Sequence, residues 1–406
     1  MQKKISLQFI FFIFICFFIG GIFLSLDKID KIDDNMLVTS SELDSLNNYS
    51  YYNYANANYD EATIKTSLSC SDVVKSNIDL NLFGFIKVKT AQVNVVNTDL
   101  FLCGNTVGIY LENSGVSIVG FGGVRQGNDI IYPFENTDIK IGDVITKINN
   151  CIIASSNDID HYLTNPNYNG EELNIEYISD GINKQSNLSP VYDTATNSYR
   201  LGLWVRENTT GIGTLTYITK NNRFGALGHG LSENGQNEVM NISKGALYQC
   251  EVLGLTKGKR GDAGEIRAMF KPNSQEEGIV DKNNDYGVFG IVKENTIYKN
   301  GLTFEAGGRL SVKPGKAYIY CQLDDSEIKK YEIEIIKTNY QSKSNQKSMV
   351  LRVTDKELLN KTGGIIQGMS GSPIVQDNKI VGAVTHVFVN DPTKGFGVYL
   401  DWMLNQ

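Results

Sequence analysis

The chain has 406 residues, with 38 Lys and Arg against 45 Asp and Glu and a net charge of −7. Hydrophobic residues make up 41% and charged residues 20%, an ordinary globular composition with room for two domains and a tether. The negative balance and the lack of a basic stripe argue against nucleic acid as a partner, and 39 Gly with 7 Pro favour strands and tight turns over long helices.

Lys3 and Lys4 precede an apolar run over residues 7–26. Roughly 20 apolar residues cross a bilayer core as a helix. The run ends in Leu24-Ser25-Leu26-Asp27 without a small-residue cleavage site, so residues 1–26 are expected to form an uncleaved signal anchor, a transmembrane helix. The lysines stay in the cytoplasm and the rest of the chain lies across the membrane. Residues 27–75 are expected to be a flexible stalk, because 27–65 is polar and Asn47-Asn48-Tyr49-Ser50-Tyr51-Tyr52-Asn53-Tyr54 has neither helical nor strand periodicity.

Residues 76–182 read as one domain of short strands and turns, with strands expected at 80–88, 93–96, 107–111 and 116–121. The turn Gly142-Asp143 leads into alternating Val144, Thr146 and Ile148. Capping residues then open a helix over 156–163, and a strand over 173–178 closes the unit. This turn, strand, helix and strand resemble a PDZ domain, in which a peptide adds as a strand to an open sheet edge. The segment 115–120 is a candidate peptide-binding loop or a plain hairpin.

Residues 181–200 are polar and read as a linker. Residues 190–406 read as a second domain, with strands expected at 201–205, 213–218, 248–255, 265–269, 287–292, 317–322, 331–337 and 349–354. Many short strands at close spacing suggest a β-barrel or sandwich. The six cysteines, Cys16, Cys70, Cys103, Cys151, Cys250 and Cys321, have neither CxxC pairing nor metal-ligand spacing. They are expected to be mostly buried free thiols, and no metal or cofactor is implied.

The chemistry concentrates in two glycine-rich stretches, Phe224-Gly225-Ala226-Leu227-Gly228-His229-Gly230 and Thr362-Gly363-Gly364-Ile365-Ile366-Gln367-Gly368-Met369-Ser370-Gly371-Ser372-Pro373. A serine nucleophile needs a base for its proton and N–H groups for the oxyanion. Gly368-x-Ser370-Gly371-x-Pro373 before an apolar strand resembles the way trypsin-like peptidases present their serine, with Gly368 and Ser370 forming the oxyanion hole. Of the three histidines, His161 falls in the predicted helix and reads as a surface residue. His386 falls in a strand and reads as half-buried and structural. His229 lies between two glycines with no packing reason to be histidine, and His before Ser is the trypsin-like order. A Gly-x-Ser-x-Gly elbow is excluded by Ser372 at its last position, and Ser372 itself reads as a turn residue. For the acid, Asp355 and Asp285 stand level on spacing. Asp355 also reads as the N-cap of a short helix over 356–361 that stops at Gly363.

Together the two motifs resemble the family of stage IV sporulation protein B, PDZ-containing serine peptidases of endospore-forming bacteria. The resemblance covers the anchor, the PDZ region and the peptidase domain. It implies a mainly β fold with a trypsin-like double barrel, and catalysis by Ser370, His229 and, by its place upstream of Thr362-Gly363-Gly364, Asp355. It also implies a place in the forespore inner membrane, with the peptidase domain in the intermembrane space. There such an enzyme cleaves itself and the extracytoplasmic part of a membrane protein that inhibits an intramembrane protease, which leads to late sigma-factor activation. Met369 stands where trypsin-like enzymes have an Asp, so activation by pairing with a freed N-terminus is excluded. The alternatives are a catalytically inactive, membrane-tethered PDZ scaffold and a general extracytoplasmic quality-control protease.

Overall fold

The computed structural model describes residue 20 and residues 35–39, 55–58, 73–82, 86–96, 99–232, 239–299, 301–309, 311–324, 327–339 and 345–406. Most of this is antiparallel sheet, organised around three hydrophobic cores.

The first barrel closes through six antiparallel pairings. Thr106–Phe121 pairs with Leu203–Ile218, which pairs with Arg223–Ala226. Gly287–Val292 and Gly278–Asn284 follow, and Ile242–Thr256 returns to the first strand. Val107, Ile109 and Leu111 share one face by the two-residue period of a strand, and all three are fully buried. The second barrel closes in the same way. Gly315–Cys321 pairs with Lys329–Thr338, then Met349–Val353, Lys394–Tyr399, Lys379–Val387 and Pro373–Gln376, which returns to Gly315–Cys321. Its core includes Ile319, Ile333, Leu351, Ile374 and Val384.

The strands Thr106–Phe121 and Leu203–Ile218 each run 16 residues without a break. Their outer halves leave the first barrel and enter a separate lobe, in which Val144–Ile148, Leu173–Ser179 and Ile182–Leu188 extend the sheet. The helix Ser156–Leu163 covers it. Ser155 caps this helix by accepting from the Asp158 N–H, while Asp158 reaches back to the cap, a reciprocal capping box. Ile159 and Leu163, four residues apart, bury one helix face in the lobe core beside Ile145, Ile175 and Tyr177.

The lobe is therefore an insertion within the first barrel, and the expected division between 76–182 and 190–406 does not follow the chain. Residues 106–113 belong to the barrel, and 114–206 form the insertion. Residues 115–120, expected as a loop or hairpin, lie inside the continuous strand. The expected linker at 181–200 instead contains the strands Ile182–Leu188, Val191–Asp193 and Ser198–Arg200.

The expected stalk also differs. Asn35–Thr39 and Ala55–Asn58 join the hairpin Val73–Leu82 and Ile86–Val96 in a four-stranded sheet, and Val38 is buried in it. The stretch 80–88, expected as one strand, spans the turn of that hairpin, where Leu82 faces Ile86. The apolar run at 7–26 and the segment 47–54 lie outside the described residues, apart from residue 20. Among the described residues no helix is long and apolar enough to cross a membrane. Cys103 and Cys321 are buried free thiols, Cys250 is partly buried and Cys151 is exposed.

Truncating the lobe core should leave the barrels intact. Ile175→Ala removes a fully buried side chain and is expected to cost about 2–5 kcal/mol. Hydrogen exchange should then quicken over 139–188 and stay slow over 315–335. Equal loss of protection in both regions would show that the lobe has no separate core.

Candidate active site

Arg223–Ala226 is the last stretch of first-barrel strand before His229. Leu227 and Gly228 then adopt left-handed backbone, with φ of 68° and 71°, and turn the chain out of the barrel. A side chain at Gly228 would meet Thr385 Cγ2 at 3.0 Å and Val398 Cγ1 at 3.1 Å, so glycine lets this turn lie directly on the second barrel. The next residue, His229, is thereby held over the strand Lys379–Val387. Its Nδ1 lies 2.9 Å from the Gly230 carbonyl oxygen. A carbonyl only accepts, so Nδ1 carries the hydrogen and Nε2 keeps the lone pair of a general base. Burial pushes the His229 pKa below its ordinary value, partly opposed by the Gly230 bond. Asn283 fixes the loop that follows: it accepts from Leu231 N and donates to the carbonyls of Leu231 and Met240, each at 2.9 Å.

Ser370 lies in the loop before Pro373–Gln376 of the second barrel. Gly368 and Gly371 flank it with φ of 93° and 96°. A side chain at Gly371 would stand 2.0 Å from Thr214 O and 2.5 Å from Leu227 N, so this glycine is where the two barrels touch. First-barrel threonines hold the loop's carbonyls. Thr214 Oγ1 donates to Gly368 O at 2.8 Å, Thr214 N to Ser370 O at 2.8 Å, and Thr216 Oγ1 to Gly371 O at 2.7 Å. The N–H groups of Gly368 and Ser370 have no acceptor among the described residues. They are free to receive an oxyanion. The hairpin that joins Ile242–Thr256 to Glu265–Phe270 supports the loop from the other side. There Gln367 N donates to Gly264 O at 3.0 Å, Ile266 N to Gln367 O at 2.8 Å and Gly258 N to Thr362 O at 2.8 Å.

The seam brings His229 and Ser370 to its two sides. In this structure the Ser370 hydroxyl donates to the Thr385 carbonyl at 2.6 Å. Asp355 is not joined to His229. It caps the helix Lys356–Thr362, accepting from Leu358 N at 2.9 Å and from Glu332 N at 3.4 Å. Asp285 is not hydrogen-bonded to His229 either; it sits in the turn beside Asn283 and faces a cleft lined by Tyr286 and Lys347. Ser372 is fully buried, which removes it as a competing nucleophile. His161 is exposed on the lobe helix.

The sequence did not single out Thr214, Thr216, Thr385 and Asn283. A signal existed for the first two, because Thr214 and Thr216 alternate on one face of a strand whose residues 213–218 are all buried. Buried hydroxyls need partners, and these find the nucleophile loop. A second concavity lies in the lobe, a groove of about 380 Å³ between the helix Ser156–Leu163 and residues 203–205, closed at one end by Gly122 and Gly123.

The family model described as SpoIVB peptidase S55 matches residues 197–404. No curated protein matches the chain. Among solved structures, the active form of Rv3671c protease from M. tuberculosis is similar at 11% identity over 49% of this chain and 73% of that one, with a TM-score of 0.29. The HtrA-type protease AlgW with a decapeptide is similar at 10% identity over 75% of this chain and 63% of that one, with a TM-score of 0.30. Neither likeness is close enough to transfer a property to this chain.

Two outcomes are expected at this site. A base whose pKa is lowered stays uncharged below pH 6.5, so labelling of Ser370 by a serine-directed phosphonate should persist below that pH before acid suppresses it. Labelling rates measured from pH 4 to 9 check this. Gly371→Ala forces the seam apart and should slow labelling by at least about tenfold, an effect on the order of the barrier cost of lost alignment. The second barrel should still melt cooperatively.

Proposed function

Because the chain belongs to the SpoIVB peptidase S55 family, we propose that it is a serine endopeptidase in which Ser370 is the nucleophile and His229 the general base. The observation that carries this reading is the seam. It sets a neutral imidazole and a serine on facing barrels, with two unengaged N–H groups beside the serine. In the proposed reaction Ser370 Oγ bonds to the scissile carbonyl carbon while its proton passes to His229 Nε2. The carbonyl oxygen, now negative, is held by the N–H groups of Gly368 and Ser370. Collapse breaks the peptide C–N bond, and the leaving amine takes the proton from His229. Water then cleaves the Ser370 ester with His229 again as base, releasing the acid and restoring the hydroxyl. Peptidase chemistry of this kind needs no cofactor.

The inserted lobe is proposed to act as a PDZ-type module that engages extended peptide. Its groove supports this, because the edge of residues 203–205 that faces the helix has no strand partner among the described residues, and an open edge is what strand addition requires. The substrates proposed are the protein itself and the extracytoplasmic part of a membrane regulatory protein, whose cleavage triggers late sigma-factor activation in sporulation. The proposed location is the forespore inner membrane, held by the apolar run at 7–26, with the catalytic domain in the intermembrane space. For self-cleavage the stalk is the proposed target. Peptidase clefts take extended, unpaired chain, so cleavage within Asn35–Thr39 or Ala55–Asn58 first requires those strands to leave their sheet.

The test compares full-length wild type with Ser370→Ala. Mass spectrometry should find a new N-terminus between residues 27 and 65 in the wild type and an intact chain in the variant. If both stay whole and no phosphonate labels Ser370, the protein is a tethered scaffold and not a peptidase.

A further inference from the structure

One side chain at the seam is unused by the reaction as written. His386 follows Thr385, the residue whose carbonyl accepts from Ser370 Oγ at 2.6 Å. The strand carrying both is tied to the nucleophile loop by Gly371 N to Val384 O at 2.8 Å and Val384 N to Ser372 O at 3.0 Å. Its position relative to the serine is therefore set by the backbone of the two residues that follow Ser370. From the opposite barrel, the close contact of Gly228 with Thr385 and Val398 sets the position of His229 against the same strand. The outcome is two imidazoles with ring centroids 5.0 Å apart and planes inclined by 37°. Among the described residues no carboxylate is hydrogen-bonded to His229, whose ring nitrogen Nδ1 meets the Gly230 carbonyl instead. His386 is the side chain whose ring lies on that of His229.

We propose that His386 is a positioning residue for the base: its imidazole braces the His229 ring so that Nε2 is presented to Ser370. The inference rests on the peptidase reading above and goes beyond it. The Gly230 carbonyl fixes the tautomer of His229 but, as a neighbour in the chain, leaves the ring free to swing with the loop. A second ring against its face limits that swing and excludes water from it. His386 must be uncharged for this, since two imidazolium rings in contact would repel. Burial, then the neighbouring His229 and Lys347, push its pKa down to about 4. The charged group that acts on the pair is Lys347, from the segment before Met349–Val353, which lines a cleft with Asp285. His386 Nδ1 is buried with no hydrogen-bond partner among the described residues.

The chain has only three histidines, so histidine-labelled full-length protein gives an NMR titration with three resolvable curves. It can be recorded in a Ser370→Ala background without activity. His386→Ala is expected to move the His229 titration up towards its ordinary range, as water reaches the ring. It should lower kcat for self-cleavage or a peptide substrate about tenfold to a hundredfold, within the range for general-base catalysis, with KM changed less than about twofold. His386→Phe keeps a flat ring and should restore both the titration and most of kcat. Should the alanine variant fail to fold, His386→Asn is read in the same way. Unchanged kcat and an unmoved His229 titration in the alanine or asparagine variant would overturn the proposal. So would a rise in KM alone, which would make His386 a wall of the substrate pocket. A wild type that neither cleaves nor labels while the titration behaves as stated would count against the peptidase reading and not against the pairing of the rings.

Discussion

The proposed catalytic arrangement depends on one steric fact, that two closed barrels touch where a Cβ atom would clash at Gly371 and meet a tight contact at Gly228. Gly371 lies against the Thr214 carbonyl and Leu227 N, and Gly228 lies against Thr385 and Val398. Each glycine belongs to one barrel and presses on the other, one beside the serine and one beside the histidine. Closed antiparallel barrels have stiff walls, since every internal strand edge is paired. Residues fixed at the touching edges of two such bodies keep their separation without needing a hydrogen bond between them. The threonines Thr214 and Thr216 add direction by pulling the loop carbonyls towards the first barrel. The N–H groups of the same loop are left without partners.

That packing also sets the electrostatics. Water is scarce at the seam, so charged forms are disfavoured and both imidazoles titrate low. A neutral histidine is the state a general base needs before the reaction starts. The same burial pushes the Cys321 thiol up to about 12, which keeps it protonated and inert beneath the nucleophile loop. Low polarity strengthens the two oxyanion donors as well, because dipoles aimed at a developing charge count for more where water cannot compete.

Much of this was legible in the sequence. The helix Ser156–Leu163 and the strand Val144–Ile148 fall where capping residues and alternation put them, because local signals determine them. The two glycine-rich stretches were found for the right reason: glycine is needed wherever backbones touch or turn left-handed. The insertion was not legible. Asn113-Ser114-Gly115 looks like a turn, yet it carries one strand from the barrel into the lobe. A β-bulge opposite Arg206–Asn208 absorbs the irregularity there. Polar composition misled at 181–200, where the strand Ile182–Leu188 lies at a sheet edge and exposes most of its side chains. For Asp355 the structure shows the cap of the helix Lys356–Thr362 and no hydrogen bond to His229.

The insertion changes what the lobe can do. A domain on a linker is free to tumble, and its grip on a peptide would raise only the local concentration of substrate at the cleft. This lobe is instead carried on two paired strands that continue into the wall of the first barrel, so its groove keeps a set orientation to the seam. It also meets the loop after His229: Ser114 N and Oγ both donate to Asn241 O, and Asn241 adjoins Met240, whose carbonyl Asn283 holds together with Leu231. The chain from the lobe to the base is thus a run of backbone hydrogen bonds closed by one asparagine amide.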